Sequence, residues 1–126
     1  MTQQGGSSAF PDTEPRARTY WIGDHAVVEL HGEIDIAGLK TVGTPLDHAT
    51  AHVTPTAMVI VDLRATVFFD CSGLGLLCRA HRRAAERGGR LRLVCDNPLI
   101  IRTLRAGRLF DVLPPVSTLD EALREE

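Results

Sequence analysis

The chain has 126 residues, of which 44% are hydrophobic and 24% charged, and its 14 Lys and Arg against 16 Asp and Glu give a formal net charge of −2. This length suits one domain with a single core, and no apolar run approaches the roughly 18–20 residues that cross a bilayer. We therefore expect a cytoplasmic protein without a secretory signal or a membrane partner, and the near-neutral charge argues against nucleic acid as a partner.

The chain begins with a polar segment and continues into a hairpin. Residues 1–15 are rich in Gly, Ser, Gln and Pro, which predicts a disordered tail and places the folded domain at residues 16–126. Residues 19–22 and 26–30 carry strand-type side chains on either side of the turn signal Gly23-Asp24. We expect these two segments to pair as a β-hairpin.

After the hairpin the hydrophobic period changes to that of a helix. Apolar residues recur every three or four positions from Ile36 to Ala49, and Asp35 is a suitable N-cap for this helix. Pro45 falls inside the stretch and should kink the helix or break it. Residues 58–61 (MVIV) then form an unbroken apolar run, which is typical of a strand buried on both faces.

A second helix is expected over residues 72–87, where Gly88-Gly89 ends it, and residues 90–95 alternate like a half-buried strand. Together with residues 58–61 these segments make a βαβ unit with parallel strands.

The C-terminal third of the chain carries two further helix starts. Asn97-Pro98 opens a helix that stops near Gly107, and Thr118 to Glu121 form a capping box that starts a terminal helix. The sequence therefore predicts an α/β fold, in which a small mixed β-sheet has an N-terminal hairpin and a parallel βαβ core, with about four helices packed on the sheet.

Charge is distributed unevenly along the chain. From Arg79 to Arg108, nine arginines against Glu86 and Asp96 give a local balance of +7, so the rest of the chain carries −9. Thirteen of the 14 basic residues are Arg, and Lys40 is the single Lys. The basic segment represents either the solvated faces of helices or a surface that steers an acidic partner or accepts an anion.

Residues 68–75 (FFDCSGLG) hold the densest group of unusual features. They lie between the buried strand and the second helix, where open α/β sheets tend to place their sites. Ser72 suits the N-cap or first turn of that helix, where a phosphate would face free amides and the positive end of the helix dipole. A plain capping role explains Ser72 equally well, and Gly73-Leu74-Gly75 does not complete a dinucleotide-binding GxGxxG because position 78 is Cys.

The chain's three cysteines form no CxxC pair, and without a secretion signal they are expected to be reduced thiols: Cys71, Cys78 and Cys95. A helix N-terminus lowers a thiol pKa, so Cys71 is a candidate nucleophile if one of the five histidines serves as its base. A buried, unreactive thiol is the favoured interpretation.

Metal ligands are sparse in the sequence. His48 and His52 are spaced i,i+4, but two ligands without a nearby carboxylate make a weak site. Asp62 and Asp70 could hold a metal, but Asp62 is more simply a strand-end or turn residue. We expect no metal and no cofactor.

Three motifs occur in a recognisable order: VxLxGEID at residues 28–35, IVDL at residues 60–63 and FDCSGLG at residues 69–75. Together they resemble the STAS domain of bacterial anti-sigma factor antagonists, from about residue 18 to the end of the chain. The resemblance implies that Ser72 is a phosphorylation site and that Asp70 and residues 71–75 (Cys71, Ser72, Gly73, Leu74, Gly75) form a partner-binding loop, with Asp35 near the same surface. Cys71 departs from the family, which usually has Ser or Thr there.

The resemblance further implies a partner switch without enzymatic activity of its own. The unmodified protein would bind an anti-sigma factor with serine kinase activity and so free a sigma factor. The kinase would then phosphorylate Ser72, and a PP2C-type phosphatase would restore binding. Two alternatives are a STAS scaffold module of a larger signalling assembly, which uses the basic face of residues 79–92, and an enzyme that depends on Cys71.

Overall fold

The computed structural model describes residues 13–124, which form a five-stranded sheet with helices packed against it. The strands are β1 (Arg16–Ile22), β2 (His25–Ile34), β3 (Met58–Asp62), β4 (Thr66–Phe69) and β5 (Arg90–Val94). The helices are a 3-10 turn (Ile36–Gly38), α1 (Leu39–Ala51), α2 (Cys71–Glu86), α3 (Pro98–Ala106), α4 (Leu109–Val112) and α5 (Leu119–Leu123). This mixed arrangement confirms the predicted α/β fold.

The sheet has the strand order β1-β2-β3-β5, and β4 pairs with the end of β2. Antiparallel pairing of β1 with β2 confirms the predicted hairpin, and its turn contains Gly23 with a φ of 59°. β3 is parallel to both β2 and β5, and all five of its residues are buried. The prediction of a central, doubly buried strand within a parallel βαβ unit is therefore confirmed.

Strand β4 was not predicted, because residues 66 and 67 were assigned no element and residues 68 and 69 were placed in the segment between the buried strand and the second helix. The segment pairs in parallel with β2, with Ile34 opposite Phe69. Its first residue, Thr66, is buried and donates a hydrogen bond from its hydroxyl to the carbonyl oxygen of Leu30 at 2.7 Å. Only the two end residues of this four-residue strand are buried, so it shows no alternating pattern that would identify it in the sequence.

The helix boundaries follow the predicted caps closely. The side chain of Asn97 accepts from the Leu99 amide at 2.9 Å, and Thr118 and Glu121 form the predicted capping box. α1 runs through Pro45 without a break, so of the two predicted effects of this proline, a kink or a break, the break was wrong. Packing compensates for the missing proline donor, because the neighbouring apolar residues of α1 are buried in the core: Val42, Leu46 and Ala49.

The core lies on both faces of the sheet. The larger cluster fills the space between the sheet and helices α1, α2 and α3. A smaller cluster lies under α5 on the opposite face, formed by Val27, Met58, Ile60, Val94 and Ala122. Of the predicted tail, residues 1–12 lie outside the described residues, while the Thr13 carbonyl accepts a hydrogen bond from the Glu33 amide at 2.9 Å.

Three arginines of the basic segment join α2 to α1 along a line that we call the α1–α2 seam. They donate across it at 3.0–3.3 Å: Arg79 to Asp47, Arg83 to Thr50, and Arg87, the C-cap of α2, to the carbonyl oxygen of Val53, which lies just after α1. From one contact to the next, the residue number increases on both helices, so α1 and α2 run parallel. This part of the basic segment is therefore a structural contact between helices.

Glu29 generates a prediction for acid stability. Arg18 donates to both carboxylate oxygens at 3.0 Å, and His31 lies 3.2 Å from one of them. The Arg18 hydrogen bond is the main cause that lowers the pKa of Glu29 below its ordinary value of 4.5. A carboxyl with a lowered folded-state pKa stabilises the fold above the unfolded pKa, and this contribution is lost as the pH falls through the folded-state value.

We therefore expect Glu29→Gln to lower the free energy of unfolding at pH 7, and the difference from wild type to shrink as the pH falls below 4.5. Urea unfolding at a series of pH values measures this. Glu86→Gln, at an exposed position on α2, is the matched control. A constant difference between Glu29→Gln and wild type across the acid range would contradict the assignment.

Candidate functional site

Asp35 and Asp70 lie side by side at one edge of the sheet. They directly follow Ile34 and Phe69, which are paired in register, and the Asp70 amide donates to the Ile34 carbonyl at 3.4 Å. The two aspartates come from motifs 35 residues apart in the chain. Parallel pairing of β2 with β4 therefore brings the GEID and FDCSGLG segments together, and the site is built where both strands end.

Both aspartates cap helices. Asp35 caps the 3-10 turn, accepting from the Ala37 and Gly38 amides at 3.1 and 3.2 Å, which confirms its predicted capping role. Asp70 caps α2, accepting from the Ser72 amide at 2.9 Å. Each carboxylate satisfies amides that the first helical turn leaves without partners. Their positions are thus fixed by local backbone geometry.

Ser72 is the second residue of α2, which confirms its predicted place in the first turn, but the capping interpretation was wrong because Asp70 is the N-cap. Within residues 13–124, no hydrogen bond involves the Ser72 hydroxyl, and the residue is partly exposed. A side chain that caps a helix would be committed to a backbone amide. Ser72 instead presents an uncommitted hydroxyl at the positive end of a 16-residue helix.

Cys71 is exposed at the first position of α2, so the expectation of a buried thiol was wrong. Its side chain lies in the first turn, on the solvent side of the helix. Across the described part of the chain, no hydrogen bond joins Cys71 to a histidine. The three thiols are free, as expected; Cys78 is also exposed, while burial raises the pKa of Cys95.

The glycines of the FDCSGLG segment have different packing. A Cβ at Gly73 would lie 2.5 Å from the ring of Phe69, a buried core residue, so Gly73 is required by close packing. A Cβ at Gly75 would meet no atom within 4 Å. Glycine inside a helix is less stable than alanine by about 1 kcal/mol. No packing contact therefore explains Gly75, and its position leaves open space on the surface beside Ser72.

An open groove of ≈ 580 Å³ lies over the α1–α2 seam and begins at Ser72. It is lined by residues of both helices: Leu39, Lys40, Gly43, Thr44 and Asp47 from α1, and Ser72, Gly75, Leu76 and Arg79 from α2. The glycines at positions 43 and 75 widen it. Of the residues predicted to bind a partner, Ser72 and Gly75 line the groove.

Exposed apolar side chains flank the two aspartates. Ile36, directly after Asp35, is 79% exposed, and Phe68, two residues before Asp70, is 48% exposed. Large apolar side chains in such positions are typical of protein interaction sites when they cluster beside polar groups. Ile36 was assigned to the apolar side of a helix in the sequence analysis. Its position directly after the capping aspartate could have distinguished Ile36 from the buried apolar residues of the helix.

Groups that could hold a metal are engaged elsewhere. Asp62 pairs with Arg64 at 2.8 Å, the Asp70 carboxylate accepts from the Ser72 amide, and His52 Nδ1 lies 2.8 Å from the carbonyl oxygen of His48. From Thr13 to Arg124, no three His, Cys, Asp or Glu side chains cluster as metal ligands. Over the same range, none of the helices combines the length and hydrophobicity that a bilayer span needs.

The sequence matches the family described as STAS domain over residues 16–122. One relative, the anti-sigma-F factor antagonist RsfA of Mycobacterium tuberculosis, is 31% identical over 95% of this chain and 94% of its own length. Another, the anti-sigma F factor antagonist of Paenibacillus polymyxa, is 30% identical over 79% of this chain and 84% of its own length.

Solved structures share the fold. An anti-sigma factor antagonist from Mycobacterium paratuberculosis superimposes with a TM-score of 0.79 at 25% identity, over 90% of this chain and 93% of its own. The antagonist SpoIIAA in its unphosphorylated form gives a TM-score of 0.71 at 22% identity, over 85% of this chain and 92% of its own. At that identity SpoIIAA shows a common fold.

The two glycines should respond to alanine in opposite directions. We expect Gly75→Ala to raise the free energy of unfolding by about 0.5–1 kcal/mol, because it removes a helix-interior glycine without a clash. Gly73→Ala should lower it by about 1–3 kcal/mol, because its Cβ overlaps the Phe69 ring. Chemical unfolding of both variants measures the effect. Destabilisation by Gly75→Ala would show that its position is packed after all.

Proposed function

The chain belongs to the STAS domain family, and on that premise we propose that it acts as an anti-sigma factor antagonist whose docking surface surrounds Ser72. One observation carries the proposal: Asp70 caps α2, so the Ser72 hydroxyl is uncommitted at the edge of a groove. Exposed Ile36 and Phe68 flank this point and supply apolar area for a partner. By sequestering an anti-sigma factor, the protein would free a sigma factor.

The proposed switch is reversible phosphorylation of Ser72. The anti-sigma factor, acting as a serine kinase, would transfer the γ-phosphoryl group of ATP to Ser72 Oγ, with ADP leaving and the hydroxyl proton released. A PP2C-type phosphatase would hydrolyse the ester with water, which restores the hydroxyl and releases inorganic phosphate. ATP and metal would be supplied by these partners, so this chain needs only an accessible acceptor.

A phosphoryl group at this position should oppose docking. It adds about −1.5 to −2 charges at pH 7. Asp70 already contributes a carboxylate two residues away, so docking would have to desolvate two neighbouring negative groups. Desolvating a charge without a compensating partner costs several kcal/mol, and each 1.4 kcal/mol lowers affinity about tenfold. The switch therefore requires no rearrangement of the fold.

The alternatives find less support in the contacts. A scaffold that uses the basic face of residues 79–92 would have only part of that face available, because Arg79, Arg83 and Arg87 donate hydrogen bonds to α1 and to the segment that follows it. An enzyme that uses Cys71 would need a base, and no histidine of residues 13–124 is hydrogen-bonded to that thiol. The antagonist role uses the groups that the fold leaves available.

Substitutions at Ser72 test the switch directly. We expect Ser72→Ala to bind the anti-sigma factor. When it is incubated with ATP and that factor, its mass should not increase by the mass of a phosphoryl group, about 80 Da. Ser72→Asp should bind at least about tenfold more weakly. Aspartate is favourable in a first helical turn, so this loss cannot be attributed to unfolding. Calorimetry and intact-mass analysis measure the two effects.

Ser117→Ala is the matched control, because Ser117 is exposed and lies far along the chain from the site. It should bind and accept phosphate like wild type. Equal affinity of the unmodified and fully phosphorylated proteins for the anti-sigma factor would overturn the proposed switch.

The docking surface can be tested without touching the acceptor. Ile36→Ser removes an apolar side chain that is 79% exposed, so it should weaken binding of the anti-sigma factor at least about fivefold without lowering stability. Trp21→Ser is the control, since Trp21 is 50% exposed beside the hairpin turn, at the opposite end of β2. Equal losses for the two variants would place the docking surface elsewhere.

A further inference from the structure

Residues of α1 and α2 face each other across the α1–α2 seam in a regular register, which extends to the N-terminal ends of both helices. Asp47 on α1 and Arg79 on α2 are joined by an ion pair of 3.0 Å. Seven residues earlier on each helix stand Lys40 and Ser72. Seven residues are close to two helical turns, about 10.5 Å, and they return to nearly the same face of the helix. Because the helices run parallel, Lys40 and Ser72 stand at the same level of the seam.

The lining of the groove supports this register independently. Its residues on α1 recur at positions 40, 43–44 and 47, and those on α2 at 72, 75–76 and 79. The groove thus consists of three matched levels. Lys40 and Ser72 form the first level, glycines 43 and 75 the second, and the Asp47–Arg79 ion pair the third.

Lys40 differs from the other basic groups at this surface. It is the single lysine of the chain, it is exposed, and no ion pair or hydrogen bond of its side chain occurs within residues 13–124. Arg79 at the far end of the groove is engaged by both carboxylate oxygens of Asp47. The cation available at the Ser72 end is therefore Lys40.

We propose that Lys40 binds the phosphoryl group carried by Ser72, so that phosphorylation adds a second ion pair across the α1–α2 seam. This inference rests on the proposed role of Ser72 as the acceptor. The new pair has the opposite polarity to Asp47–Arg79, with the cation on α1 and the anion on α2. It closes the mouth of the groove, because the phosphate bridges the two helices that form its walls.

This arrangement adds a second component to the switch. The phosphate repels a docking partner through its charge beside Asp70, and through Lys40 it also occupies the groove. The unmodified protein offers an open groove with a cation at its entrance. The phosphorylated protein offers a closed groove whose cation is neutralised.

The test uses full-length protein with phosphoserine incorporated at position 72 during translation, so no kinase is needed. Phosphorus NMR then follows the second ionisation of the phosphate, which lies near pH 6 for an unperturbed group. A nearby cation favours the dianion and lowers this pKa. We expect Lys40→Gln to reduce the acid dissociation constant at least about twofold, and Lys40→Arg to retain most of the wild-type value.

Arg82→Gln is the matched control, because it removes one positive charge from an exposed position of α2 outside the groove. The other charged groups near the phosphate, Asp35, Asp70, Asp47 and Arg79, are present in every variant. A second measurement compares thermal unfolding of the serine and phosphoserine forms. Phosphorylation should raise the melting temperature more with Lys40 than with Lys40→Gln.

Identical phosphate titrations for wild type and Lys40→Gln, or an equal change in Arg82→Gln, would overturn the Lys40 contact. Those results would leave the proposed function intact, because phosphorylation could still block docking through charge alone. Conversely, an anti-sigma factor that binds both forms equally would contradict the proposed function without affecting the titration. The two failures are therefore distinguishable.

Discussion

The site depends on one interaction, the parallel pairing of β2 with β4 at Ile34 and Phe69. Because β2 and β4 end at the same edge of the sheet, the 3-10 turn that leads into α1 begins beside α2. Each of these two elements is capped by an aspartate. The helices then return parallel across the sheet, which permits the α1–α2 seam. A different register at this short pairing would separate Asp35 from Asp70 and misalign every contact between the helices.

The motifs that identify the family combine two kinds of residue. Asp35, Asp70 and Gly73 have structural roles that are visible in their contacts, since two cap helix starts and one admits the Phe69 ring. Ser72 and Gly75 have no comparable role in residues 13–124. The capping aspartate makes this division possible, because it satisfies the first turn of α2 and leaves the serine hydroxyl uncommitted. A motif that looks like one functional unit thus consists of a scaffold and the group that the scaffold presents.

Much of the fold could be predicted because its signals are local. The hairpin turn, the buried run of β3, the Asn97 cap and the Thr118 capping box each depend on residues within a few positions. What sequence reasoning missed depends on contacts between distant segments. β4 is recognisable as a strand only through its pairing with β2, and the exposure of Cys71 depends on which side of α2 faces the sheet. The stripe of Arg79, Arg83 and Arg87 is visible in the sequence at helical spacing, but its partners on α1 are not.

The net charge of −2 hides an uneven distribution of charge around the site. Within the α1–α2 seam, the Asp47 carboxylate pairs with Arg79 and Arg83, and backbone carbonyl oxygens accept hydrogen bonds from Arg83 and Arg87. At the end of the groove where Ser72 lies, the positive charge belongs to Lys40 on α1, whereas the carboxylate of Asp70 lies at the start of α2. A phosphoryl group on Ser72 would therefore experience attraction on one side and repulsion on the other. This asymmetry would favour rotation of the phosphoryl group toward the groove, so its direction would depend on the same two helix starts that β2 and β4 bring together.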